Sequence, residues 1–189
     1  LLLYTFLMKR WLELFKTDYF RNTGGQTYKW FKRFGMSYQC KLLYRLRKVQ
    51  HNPNILNRWL FTKIQSIHGN EMDRHAKYGM GLYLGHNGPR YVNPDAIIGD
   101  NCNLNQNVTI GQENRGLRKG APTIGNRVWI GANSVVIGKI VIGDNVLIVP
   151  GTFVNFDVPS NSLAIGNPGK IINKETATED YINNIVSKL

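Results

Sequence analysis

The sequence predicts a mainly β protein: a parallel β-helix wound from hexapeptide repeats and preceded by a small α-helical region. Three observations carry this. An aliphatic residue returns every sixth position, first as Val92, Ile98, Leu104 and Ile110, then, after a 14-residue step, as Ile124, Ile130, Val136, Ile142, Ile148 and Val154. Four residues after these stands a small or medium residue, as at Ala96, Cys102, Val108, Val128, Ser134, Ile140, Val146, Thr152 and Val158. Gly, Asn or Asp usually lies between, as in Ile98-Gly99-Asp100-Asn101 and Ile142-Gly143-Asp144-Asn145.

A helix needs apolar returns at three and four residues and a free strand needs them at two, so neither accounts for a period of six. Hexads do. Each supplies one short strand and a turn, and three of them close a triangular coil. The aliphatic residue points inward, a small one fits near a corner, and Gly, Asn and Asp accept the positive φ of tight turns.

The chain divides into residues 1–69, a basic, aromatic α-helical region; 70–172, the coil with a loop at 112–122; and 173–189, a polar tail. Residues 4–16 keep apolar returns at three and four and read as a short helix, broken by the Gly-rich cluster at 22–26. A second helix is expected over 27–49, with Trp30, Phe31, Phe34, Tyr38, Leu42, Leu43 and Leu46 on one side. His51-Asn52-Pro53-Asn54 closes it and opens a third over 55–67. From Glu71 to Tyr91 the hexad register is imperfect, which fits the first coil. Between Ile110 and Ile124 lies an excess of eight residues, read as a loop extruded from one corner. Gly166-Asn167-Pro168-Gly169-Lys170 turns the chain out of the coil, and the tail is expected to be helical from Glu179.

Composition narrows the function. The net charge is +12, and residues 1–70 hold 13 Lys/Arg against Glu13 and Asp18 alone, together with 14 of the 21 aromatics. Basic plus aromatic fits an anionic membrane surface, nucleic acid or an acidic glycan; the plainer alternative is aromatics packing on the coil and charges solvating an outer face. No nucleic-acid-binding module is present, which argues against nucleic acid. The apolar opening Leu1 to Met8 is too short to span a bilayer and lacks the marks of a secretory signal. Cys40 and Cys102 are too few for a disulfide framework, so a cytoplasmic protein is expected. No metal-ligand spacing occurs: His51, His68, His75 and His86 stand apart.

His86 is the candidate for chemistry. It lies in Leu84-Gly85-His86-Asn87-Gly88, where the flanking glycines leave an imidazole approachable, and imidazole exchanges protons near neutral pH. By itself it reads more readily as a surface turn histidine.

Residues of about 70 to 172 resemble the left-handed β-helix acyltransferases of the hexapeptide-repeat superfamily, and within it the serine acetyltransferase group. The resemblance rests on Gly81 to His86, Asn105 to Gly111, Pro122 to Gly125, Val128 to Ala132, Asp157 to Pro159 and Ile165 to Ile171. The helical first third, with Asp18 to Gly24, is similar to variants associated with capsule and exopolysaccharide biosynthesis.

The resemblance implies acetyl transfer from acetyl-CoA to a hydroxyl, with His86 as general base and Glu71, in place of the usual Asp, orienting its ring. Backbone N–H groups at coil corners would stabilise the oxyanion. It further implies a homotrimer, or a dimer of trimers, with CoA in the groove between subunits. Gly111, Ala132 and Pro150 would line the pantetheine arm, and Lys170 or Arg127 would meet the phosphates. Gly85, Asn87 and Ala121 would face the acceptor. Two departures stand out. Gly85 replaces the family's Asp before the catalytic histidine, and Gly120-Ala121 replaces its Arg-His pair. Serine would leave its charges unpaired in such a site, so a saccharide acceptor, soluble or lipid-linked at the inner face of the membrane, is expected first. Serine O-acetyltransferase is the alternative, and a non-catalytic scaffold a further one.

Overall fold

The computed structural model describes residues 2–187, with the side chains of residues 10–31 and 35–187. Three helices, α1 (Leu2–Asn22), α2 (Tyr38–His51) and α3 (Ile55–Ser66), precede a β-helix. Its first coil is β1 (Glu71–Met72), β2 (Lys77–Tyr78) and β3 (Tyr83–Leu84), and its second is β4 (Arg90–Val92), β5 (Ile97–Ile98) and β6 (Asn103–Leu104). The third is β7 (Val108–Gly111), β8 (Thr123–Ile124) and β9 (Val128–Ile130); the fourth is β10 (Val135–Ile137), β11 (Val141–Ile142) and β12 (Val146–Ile148). β13 (Phe153–Val154) and β14 (Ser162–Ile165) add a partial coil, and β15 (Lys170–Asn173) folds back antiparallel on β14.

The strands stack into three parallel faces. Face one carries β1, β4, β7, β10 and β13; face two carries β2, β5, β8 and β11; face three carries β3, β6, β9, β12 and β14, with β15 at its edge. The hexad register survives as columns of side chains: Met72–Val92–Ile110–Val136–Val154, Tyr78–Ile98–Ile124–Ile142 and Leu84–Leu104–Ile130–Ile148–Ala164. Every inward residue of the sequence pattern, and every small one four positions on, is buried. Left-handed turn conformations fall where the hexads place Asn, at Asn101, Asn107, Asn133, Asn145 and Asn161, and also at Arg127, with φ of 52°.

The first coil keeps the six-residue register through Met72, Tyr78 and Leu84; the irregularity is a step of eight from Leu84 to Val92, across the turn that carries His86.

The helices close the open end of the solenoid. A first coil has no coil beneath it, so its backbone groups need other partners. The Thr17 hydroxyl accepts from the N–H of Gly81, the Asp18 carboxylate from Leu82, and the Asn22 amide oxygen from Leu84, at 2.8–3.0 Å. Gln65 accepts from Met72, Gln50 donates to the carbonyls of Arg74 and Ala76, and Arg47 to those of Tyr78 and Gly79. Arg47 and Asp18, both fully buried, also form an ion pair with N–O distances of 2.8 and 3.0 Å. Part of the basic charge is therefore structural rather than solvated.

Three expected boundaries change. α1 continues to Asn22, because Thr17, Asp18 and Asn22 are held by the coil. The expected helix 27–49 is two pieces, a 3-10 turn (Trp30–Gly35) and α2. Ser37 accepts from the Cys40 N–H at 3.3 Å and starts α2 afresh; the side chains of residues 32–34 lie outside the described residues. The tail forms turns rather than a helix from Glu179, because asparagines of the coil tether it: Asn145 bonds Thr178 and the carbonyl of Glu175, Asn103 the carbonyl of Tyr181, and Asn101 both backbone groups of Val186. Between β7 and β8 the chain leaves the coil, pinched by paired bonds between Glu113 and Gly120. No helix among the described residues is long and apolar enough to cross a membrane.

Candidate active site

His86 lies on the turn joining β3 to β4, with φ of 48° and its side chain exposed. It borders a pocket of about 300 Å³ together with Gly85, Tyr83, Asn103, Asn105, Arg21 and Trp129. Tyr181 from the tail closes one side, its ring 5.0 Å from that of Trp129. Among the described residues the lining carries amides, two phenols and an indole, but no carboxylate. The Arg21 guanidinium in this lining is spent on the carbonyls of Gly81, Cys102 and Asn183 and on the Asn103 amide oxygen. Burial lowers this guanidinium to about 10, an effect that neighbouring Cys102 and Asp18 oppose.

Gly85 is buried against Asn105. A Cβ built at Gly85 would stand 2.3 Å from Asn105 Oδ1, and Asn105 is itself held by donation to the Ile130 carbonyl at 2.8 Å. An amide thus fills the space a side chain at 85 would need. Asn87 is exposed and accepts from Gln39 of α2 at 3.0 Å, fixing the far side of the turn.

Glu71, exposed on β1, borders a separate groove of about 780 Å³ between α3 and face one, shared with Asn70, Asp73, Arg74, Tyr91 and Gly111. No hydrogen bond or ion pair joins Glu71 to His86.

The other candidates fall on three different edges of the triangle. His86, Ala132 and Pro150 share the edge between faces three and one, where a Cβ at Gly131 would meet Pro150 N at 2.5 Å. Gly111 and Ala121 flank the loop that leaves the edge between faces one and two. Arg127 turns the edge between faces two and three, and Lys170 is exposed at the start of β15. One chain does not bring them into one groove.

Asn103, Asn105, Tyr83, Arg21, Trp129 and Tyr181 were not singled out from the sequence. Tyr83, Asn105 and Trp129 carried a signal, each lying within a motif on which the family resemblance rests; Arg21, Asn103 and Tyr181 carried none. The two thiols are inert by burial, which raises Cys40 and takes Cys102 up to about 12. Among the described residues no group of His, Cys, Asp and Glu could hold a metal ion.

Residues 121–155 match the family model described as bacterial transferase hexapeptide (six repeats). The chain is 35% identical over 136 residues to a serine acetyltransferase of Helicobacter pylori, covering 71% of this chain and 80% of that protein. It belongs to the serine acetyltransferase family of left-handed β-helix acyltransferases. This serine acetyltransferase-like chain is also 33% identical to a serine acetyltransferase of Synechococcus elongatus, of whose length it spans only 55%. The fold matches the crystal structure of Neisseria gonorrhoeae serine acetyltransferase in complex with serine, with a TM-score of 0.65 at 28% identity, covering 89% of this chain and 69% of that one.

Proposed function

We propose that this chain is an acetyl-CoA-dependent serine O-acetyltransferase in which His86 is the general base. The observation that carries the reading is an exposed imidazole bordering a polar pocket, in a chain that matches four-fifths of a serine acetyltransferase's length. His86 removes the acceptor hydroxyl's proton as its oxygen attacks the thioester carbonyl. The tetrahedral intermediate then expels the CoA thiolate, which takes that proton from the imidazolium. Glu71 is assigned the orienting role; its bond to the ring would form only on binding, as catalytic bonds often tighten with substrate in place. Gly111, Ala132, Pro150, Arg127 and Lys170 are assigned to CoA in a groove shared between subunits, since they lie on different edges of one chain.

A second reading, transfer to a saccharide hydroxyl, is favoured by the absence of any carboxylate from the His86 pocket. Serine's ammonium has no partner there, and leaving such a charge unpaired costs several kcal/mol. Amides and two phenols suit neutral hydroxyls. Contact of the basic first third with an anionic membrane belongs to the same reading and finds support in the outward face of α3.

Thiol release from acetyl-CoA, measured with serine and with a panel of saccharides, decides between them. Serine-dependent release, lowered at least about a hundredfold in His86→Ala, is the expected result. Release with saccharide alone would transfer the assignment to the second reading, and release unaffected by His86→Ala would remove both.

A further inference from the structure

Arg90 occupies a position where the hexad pattern calls for a small apolar residue. It pairs in register with Val108, one of the small corner residues, and it is completely buried. A guanidinium rarely enters such a slot, because its desolvation must be offset by hydrogen bonds in a fixed geometry. Here they all go to the turn that carries His86 and to the strand above it. Nε donates to the Leu104 carbonyl at 2.9 Å, and Nη1 to Gly88 at 3.0 Å. Nη2 donates to His86 at 2.9 Å and also to Gly85. Among the described residues Arg90 forms no ion pair.

The turn explains this need. It is two residues longer than a hexad, as the eight-residue step from Leu84 to Val92 records. Among the described residues no backbone N–H outside the strands donates to the carbonyls of Gly85, His86 or Gly88. Unpaired inward carbonyls would be costly, and a histidine at positive φ would have little to fix it. Arg90 supplies the missing donors at all three.

We propose that Arg90 is a positioning residue for acetyl transfer, clamping the His86 turn from inside the coil so that the imidazole keeps its place at the pocket. This rests on the reading of His86 as general base. Arg90 touches no substrate and acts through the turn's backbone. Lysine cannot replace it, since an ammonium presents its donors at one point whereas the guanidinium fork spans carbonyls from Gly85 to Leu104.

The test is a double-mutant cycle with the full chain, using Arg90→Lys, Arg90→Ala, His86→Ala and His86→Ala/Arg90→Ala, assayed well below each variant's melting temperature. Each Arg90 variant should lose at least tenfold in kcat with the KM for acetyl-CoA changed less than twofold. The double variant should be no slower than His86→Ala alone, because a clamp has nothing left to position. Millimolar guanidinium, but not methylammonium, should restore part of the Arg90→Ala kcat. Additive losses in the cycle, or a folded Arg90→Lys with unchanged kcat, would overturn the proposal. Unchanged kcat in His86→Ala would instead overturn the general-base reading, so the two failures are told apart. If Arg90→Ala does not fold, Arg90→Lys, which keeps the charge and most of the volume, carries the comparison.

Discussion

At the scale of single residues, Gly85 and Asn105 hold the acceptor question. The family's carboxylate before the catalytic histidine is missing, and the structure gives a steric reason beyond the substitution itself. Asn105 Oδ1 stands where a Cβ at 85 would go, and its amide nitrogen is tied to Ile130. Restoring the family residue is therefore not a simple reversion. Gly85→Ala should destabilise the chain by about 1–3 kcal/mol, the usual cost of overpacking a filled site, read as a lowered melting temperature. Adding Asn105→Ala should recover most of that loss. A Gly85→Ala variant as stable as the parent would mean the amide moves freely and the space is not fixed. The missing carboxylate was legible in the sequence but the steric conflict was not: the register stacks Gly85 on Asn105, as it stacks Leu84 on Leu104, without saying where the Asn105 amide points.

At the scale of elements, the helices do two jobs. Inward, α1, α2 and α3 present Thr17, Asp18, Asn22, Arg47, Gln50 and Gln65 to the backbone of the first coil, standing in for a missing rung. Outward, α3 exposes Ile55, Leu56 and Trp59 at 79, 58 and 56%, beside Arg58 and Lys63, whose ammonium lies 5.0 Å from the Trp59 ring centre. Residues 19–70 contain no Asp or Glu, so this face meets an anionic surface without repulsion. The chain should co-sediment with vesicles rich in phosphatidylglycerol and not with neutral phosphatidylcholine vesicles. Lys63→Glu should weaken that binding at least about fivefold. Equal partition into both vesicle types, or into neither, would remove the membrane assignment. Helix periodicity revealed α3 to within a residue. It could not separate the 3-10 turn from α2, since both share the aromatic pattern and only the cap at Ser37 divides them.

At the scale of the whole molecule, the candidate residues for CoA are spread over three edges of one solenoid. A groove containing Gly111 or Ala121 together with Ala132 and Pro150 needs edges from different copies. Light scattering should therefore give a mass about three times the 21.6 kDa of the chain. A fully active monomer would contradict a shared site.

The sequence alone determined the solenoid, because a period of six is imposed by local geometry: each hexad carries its own inward residue, corner residue and turn, and the same rule repeats along the chain. It also singled out His86 by its flanking glycines and the segment 112–122 as an interruption of that rule. The tertiary structure alone decided what surrounds the interruptions. Arg90 under the His86 turn, the buried Asp18–Arg47 pair and the tethered tail all depend on contacts between residues that no repeat relates. Side-chain hydrogen bonds to backbone carbonyls leave no periodic trace, since they are set by where the chain stops repeating.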